Sequence, residues 1–195
     1  THGLPVTQTP GRYRLEDVPA VPLAFRMPGQ TDAFAFAHLS TSNEWATVET
    51  LYRKLLGDRL KPTPQLARFA RGAVDGLSTI EDKVTVLYQA VVDRIRYIGL
   101  EFGIHSFQPT TPADTWARGY GDCKDKAVLL IALLDSVGID ARFVLVRTRG
   151  EGRMPQTPAS LAVFDHAMVY LPDLDTFIDP TVSHNAPWTL PSPDE

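Results

Sequence analysis

Apolar positions along the chain change their period twice. Residues 1–42 hold no lasting period, because prolines at 5, 10, 19, 22 and 28 interrupt them; only Phe34-Ala35-Phe36-Ala37-His38 alternates as a short strand would. From Ser42 the spacing becomes helical. Trp45, Val48, Tyr52, Leu55 and Leu56 mark one helix, with Asn43 as its N-cap and Gly57 as its stop, and a second short helix follows Pro64. A third opens on Ser78-Thr79-Ile80-Glu81, which fits a capping box, and carries Ile80, Val84, Leu87, Val91, Ile95 and Ile98 as one buried face. A loop rich in Gly, Pro and Thr covers 99–122, with one turn of helix at 113–117. Cys123, Ala127, Leu130, Leu134 and Val137 then predict a helix closed by Gly138.

After that helix the period falls to two. Phe143, Val144, Leu145 and Val146 are apolar on both faces and predict a central strand. Residues 161–171 and 176–181 predict two more, joined by a turn at Pro172-Asp173-Leu174-Asp175. The final residues, rich in proline, carry no pattern.

Composition narrows the possibilities. A chain of 195 residues, 44% of them hydrophobic, can bury about 70% of its unfolded surface in one core, which excludes disorder. A single cysteine excludes a disulfide scaffold. The 19 Lys and Arg form no dense run and are outnumbered by 23 Asp and Glu, for a net charge of −4, so the footprint of a nucleic-acid binder is missing. The longest apolar run, 127–134, falls far short of the ~20 residues of a membrane span. Thr1-His2-Gly3 has neither an initiator methionine nor a signal-peptide pattern, so the chain is expected to be a piece of a longer polypeptide. The expected organisation is an extended leader over 1–42 that ends an upstream domain, a core over 43–184, and a proline-rich tail over 185–195.

The cysteine carries the chemical interest. Cys123 sits where Gly119-Tyr120-Gly121-Asp122 turns into a helix, and Asp122 with Asp125 approximates a capping pair. A helix N-terminus favours a thiolate, Lys124 and Lys126 add positive potential, and the two aspartates oppose it. The free N–H groups of the first turn are also suited to holding an oxyanion. Equally, Cys123 is the first member of an apolar stripe, and free cysteine often behaves as a small buried hydrophobe. A thiolate nucleophile needs a base. Of His2, His38, His105, His166 and His184, only His166 lies in a predicted strand of the second half. If the turn after 171 has an even number of residues, paired positions sum to 347, and Asp179 falls diagonally from His166 on the same face. An odd turn sends Asp179 to the other face. Asp179 is alternatively an aspartate that bonds the backbone of the following Pro180-Thr181. The chain has no close-spaced pair of metal ligands.

The blocks Gly119-Tyr120-Gly121-Asp122-Cys123-Lys124-Asp125-Lys126-Ala127, Phe164-Asp165-His166-Ala167 and Phe177-Ile178-Asp179-Pro180-Thr181 resemble the three signature blocks of the transglutaminase-like core, in that family's order. The block Ile95-Arg96-Tyr97-Ile98-Gly99-Leu100-Glu101 and the pair Gln108-Pro109 further resemble a bacterial subgroup in which the core follows an N-terminal β-rich domain. The resemblance runs from about residue 43 to 181. It implies an α+β, papain-like fold in which an N-terminal helical half, bearing the cysteine helix, packs on a C-terminal antiparallel sheet. Carried over, the catalytic residues are Cys123 as nucleophile, His166 as base and Asp179 as orienting carboxylate, with Tyr97, Gln108 or Trp116 as candidates for a second oxyanion donor beside the Cys123 N–H. The implied activity is acyl transfer or hydrolysis at a glutamine side chain or a peptide bond through a thioester, with no metal or organic cofactor. The alternative is a silent binding module of the same fold. Implied partners are a protein or peptide substrate and neighbouring domains, upstream and downstream, of the same polypeptide; the implied compartment is the bacterial periplasm or envelope. The rim that would select cross-linking, deamidation or proteolysis is expected at 99–108 and 150–160.

Overall fold

A computed structural model describes residues 6–9, 12–17, 20, 27–34, 36, 38–99, 103–182 and 187–190. They gather into two units, Thr1–Val48 with Arg147–Asp165, and Glu49–Val146 with His166–Glu195.

In the first unit, β1 (Val6–Thr9) pairs antiparallel with β2 (Arg12–Leu15). Strands of four residues offer too few positions for a period, so the pattern of hydrophobic residues missed this hairpin. A short helix, α1 (Gln30–Ala33), follows. Phe34, Phe36 and His38, read as part of a strand, lie outside any strand; Ala35 and Ala37 are outside the described residues. Thr31 Oγ1 donates to the Glu151 carbonyl at 2.8 Å, and the Arg147 guanidinium donates to the carbonyls of Gly152 at 2.9 Å and Val163 at 2.7 Å. Trp45 meets Phe164 edge to face at 5.9 Å.

Helix α2 (Trp45–Leu56) leads into the second unit and stops at Gly57, whose φ of +50 is cheap only for glycine. Helix α3 (Pro64–Ala73) is capped by Thr63 and has proline in its first turn, where the missing N–H costs nothing. Helix α4 (Ile80–Arg94) buries Val84, Leu87 and Val91 as expected, but two details differ. The cap is Thr79 with Asp82, one residue later than the Ser78–Glu81 frame, because Thr79 Oγ1 both accepts from Asp82 N–H at 3.1 Å and donates to Asp82 Oδ2 at 2.6 Å. The helix also ends before Ile95 and Ile98. There Arg96 N–H and Ile98 N–H donate instead to the carbonyls of Gly119 and Gly121, making β3 (Arg96–Tyr97) a parallel partner of β4 (Tyr120–Gly121). Helix α5 (Pro112–Arg118) is the turn expected within the long loop.

Helix α6 (Cys123–Asp135) is the centre of this unit: every residue from Cys123 to Leu134 is buried, not merely one stripe. It packs among Leu66, Leu87, Val91 and Ile95 on the helical side and Ala167, Val169, Leu171 and Ile178 on the sheet side. The sheet runs β5 (Arg142–Val146), β6 (His166–Leu171), β7 (Thr176–Ile178), all antiparallel. The strand at 142–146 is therefore an edge among the described residues, not central. Apolar character on both faces reports what covers the faces and says nothing about pairing along the edges. The strand expected from residue 161 begins only at His166, since β5 ends at Val146, opposite it, and leaves nothing upstream to pair with. Turn residues 172–175 separate Leu171 from its partner Thr176. The turn is even, and the pairs sum to 347 as the first alternative required. The fold is α+β, a helical half packed on an antiparallel sheet. No helix among the described residues is long and apolar enough to cross a membrane.

Candidate active site

The start of α6 is held by a closed set of polar bonds. Asp122 accepts from Asp125 N–H at 3.1 Å and Asp125 accepts from Asp122 N–H at 3.3 Å, the reciprocal arrangement of a capping box. Asp125 also accepts from Thr110 N–H at 2.6 Å and from Arg118 Nη2 at 2.5 Å, so loop, α5 and α6 meet on one carboxylate. Lys124, read from the sequence as a source of positive potential, is buried in an ion pair with Asp122 at 2.9 Å and is thereby neutralised. Burial, then the charge of Asp125, raises the pKa of Asp122 against the pull of Lys124. Lys126 donates to the Ile95 carbonyl at 2.9 Å, and burial lowers its pKa to about 8, against the opposing influence of Asp179.

The cap needs Gly121. A Cβ built there would lie 2.7 Å from Asp125 Cβ and 3.2 Å from Thr115 Cγ2. Gly121→Ala is therefore expected to push Asp125 out of the cap and to destabilise the protein by about 1–3 kcal/mol. Chemical denaturation measures the loss; a midpoint equal to that of the native chain would show that the cap yields without cost.

Cys123, only 2% exposed, lies near enough to His166, the first residue of β6, to act on the titration of its imidazole. His166 Nε2 lies 2.8 Å from Asp179 Oδ2. Continuing the ladder by one residue beyond Ile178 puts Asp179 opposite Met168, diagonal to His166. The two readings of Asp179 both hold, one per oxygen. Oδ1 accepts from Thr181 N–H at 2.9 Å and from Thr181 Oγ1 at 2.6 Å, which leaves Oδ2 for the imidazole. Tyr88 hydroxyl donates to the Asp179 carbonyl at 3.1 Å and anchors the end of β7 to α4.

These contacts act on His166 in opposite directions. Burial lowers its pKa, but the hydrogen bonds from Asp179 and Cys123 and their charges outweigh it and raise the value from 6.5 to about 10. Burial raises the pKa of Asp179, and its bonds to His166 and Thr181 bring it below the usual carboxylate value. A charged imidazole between a carboxylate and a thiol is the arrangement in which a cysteine carries a proton relay.

The other candidates fall as follows. Tyr97 is 47% exposed and is paired in β3 with Gly121. Gln108 Nε2 donates to the Leu55 carbonyl at 3.1 Å. Trp116 packs at a tilt against Phe69, with ring centroids 4.5 Å apart, and the Arg94 guanidinium lies 4.4 Å from its ring centroid. His105 lies exposed in a short 3-10 turn; His2, His184, Leu100 and Glu101 are outside the described residues. Among the described residues no cluster of three or more His, Cys, Asp or Glu is arranged to hold a metal ion.

The family model of the transglutaminase-like superfamily matches residues 67–176, more than half of the chain. The chain belongs to the transglutaminase-like superfamily. Of solved structures, the core resembles a candidate protease from Parabacteroides distasonis, with a TM-score of 0.53 and 16% identity over 72% of this chain and 31% of that one. It also resembles a candidate cysteine protease from Cytophaga hutchinsonii, with a TM-score of 0.44 and 23% identity over 64% of this chain and 42% of that one. The transglutaminase-like core thus spans less than half the length of either. No curated protein matches the chain.

Proposed function

We propose that this transglutaminase-like core is a cysteine-dependent enzyme that transfers or hydrolyses an acyl group, taking an amide of a protein or peptide as donor. The observation that carries the reading is the His166 imidazole, bonded through Nε2 to Asp179 at 2.8 Å and near enough to the Cys123 thiol for each to act on the other's proton. With Nε2–H donated to Asp179, Nδ1 is the nitrogen that takes the proton from Cys123.

The thiolate then adds to the amide carbon. The carbonyl electron pair moves to oxygen, where the N–H of Cys123, in the first turn and without an intrahelical acceptor, meets it. Collapse of the tetrahedral species breaks the C–N bond as the imidazolium gives its proton to the leaving amine, leaving a thioester. An amine or a water, deprotonated by His166, completes the transfer. Asp179 keeps Nε2 protonated throughout and balances the imidazolium charge.

The test uses p-nitrophenyl acetate as a minimal acyl donor, followed by glutamine-containing peptides. The native protein is expected to release nitrophenolate and to gain one acetyl group on Cys123 by mass spectrometry, and Cys123→Ala to do neither. Equal release by native and Cys123→Ala protein, with no acetyl on Cys123, would favour the silent binding module.

A further inference from the structure

We infer that the Tyr52 hydroxyl is a second donor to the oxyanion formed at Cys123, an assignment that rests on the acyl-transfer reading above. Tyr52 lies in α2, before the stretch matched by the family model, and its side chain is 6% exposed. Its ring packs on Phe143 of β5, with centroids 5.5 Å apart. Its hydroxyl is buried and has no hydrogen-bond partner among the described residues.

An orphaned buried hydroxyl is costly and needs a reason. Tyr88, buried in the same core, shows the ordinary solution: its hydroxyl donates to main-chain carbonyls. Tyr52 has no such outlet among the described residues, and its helix is tied through a loop to the start of α6. Gln108 ties the Leu55 carbonyl, one turn further along α2, to the loop whose Thr110 N–H is bound by Asp125. After burial itself, the charges that act on the hydroxyl are those of Cys123, Asp122 and Asp125, in that order, and all of them raise its pKa. The phenol therefore keeps its proton and remains a donor. The thiol is not its acceptor in the free protein, since no partner meets hydrogen-bond geometry. The acceptor that is missing is one that arrives with the substrate. The atom that becomes strongly basic next to Sγ during acylation is the carbonyl oxygen, and a preorganised neutral donor in a dry setting serves it best.

The experiment compares two reactions of the same thiol in native, Tyr52→Phe and Cys123→Ala protein. Acylation by p-nitrophenyl acetate passes through an oxyanion: the S–C bond forms, the carbonyl pair moves to oxygen, and its return expels nitrophenolate. Alkylation by iodoacetamide forms S–C as C–I breaks and develops no oxyanion. Tyr52→Phe is expected to acylate about 10²-fold more slowly while its alkylation stays within twofold of native. Its thermal midpoint should be unchanged or higher, because the substitution removes the unsatisfied group and keeps the packing on Phe143.

Native-like acylation in Tyr52→Phe, with Cys123→Ala inert, overturns the inference and leaves the proposed function standing. Equal slowing of both reactions overturns it as well, since Tyr52 would then act on the thiol. So does a lowered midpoint, which would give the hydroxyl a structural role. Acylation that persists in Cys123→Ala overturns the proposed function itself, and the inference with it.

Discussion

His166→Ala should slow the alkylation of Cys123 by iodoacetamide at pH 7 by at least about tenfold. The thiolate is the reacting species, and the fraction of a free cysteine in that form climbs steeply towards a pKa of about 8.5. In this chain the imidazole beside Cys123 keeps its proton up to about pH 10, once the bonds and charges of Asp179 and Cys123 have outweighed its burial. An imidazolium next to the sulfur attracts the anion that reacts, and alanine at 166 offers no such charge. Alkylation of the variant within twofold of native would leave His166 without a part in activating the thiol.

Asp179→Asn should slow acylation by p-nitrophenyl acetate on the order of 10³-fold. The amide introduced by this substitution can offer an N–H to His166 Nε2 and so stabilise the tautomer that carries the proton on Nδ1, the nitrogen required to receive the thiol proton. The same substitution should alter the dependence of stability on pH. His166 has its folded pKa raised above the unfolded 6.5, so its contribution is complete below about pH 6.5 and is lost as pH rises through about 10. Asp179 has its folded pKa lowered, so its contribution is present above the unfolded value of 3.8 and is lost as pH falls through the folded one. Urea midpoints of the native protein should fall in both directions away from neutrality, and those of Asp179→Asn should fall less. Acylation within threefold of native would leave Asp179 without an orienting role.

Much of the site was legible because its determinants are local. The cap at Asp122 and Asp125, the helix that follows and its end at Gly138 depend on residues within a few positions of each other. The diagonal between His166 and Asp179 depends on the parity of one turn, and the four residues 172–175 make that parity even. What could not be read in advance was whether Asp179 would serve His166 or Thr181, and the carboxylate serves both because it has two oxygens.

The misreadings come from adjacent local alternatives and from which distant segment comes alongside. Ser78 and Thr79 offer adjacent capping frames, and it is Thr79 whose hydroxyl accepts from the amide of Asp82. Ile95 and Ile98 continue a helical stripe in sequence, yet the amides of Arg96 and Ile98 find acceptors in the chain just before Cys123 and the helix gives way. Lys124 looked like a source of positive potential until Asp122 was found turned towards it.

The lone cysteine, its helix end and the order of the three blocks were determined by sequence alone, since each follows from short-range periodicity and spacing. Tyr52 was not. In sequence it is one more member of the apolar stripe of α2, and only the tertiary structure separates its ring, which packs on Phe143, from its hydroxyl, which has no partner among the described residues. The physical reason is that a stripe reports where a side chain is buried, whereas an unsatisfied polar atom is defined by every group around it, and those groups come from segments far apart in the chain.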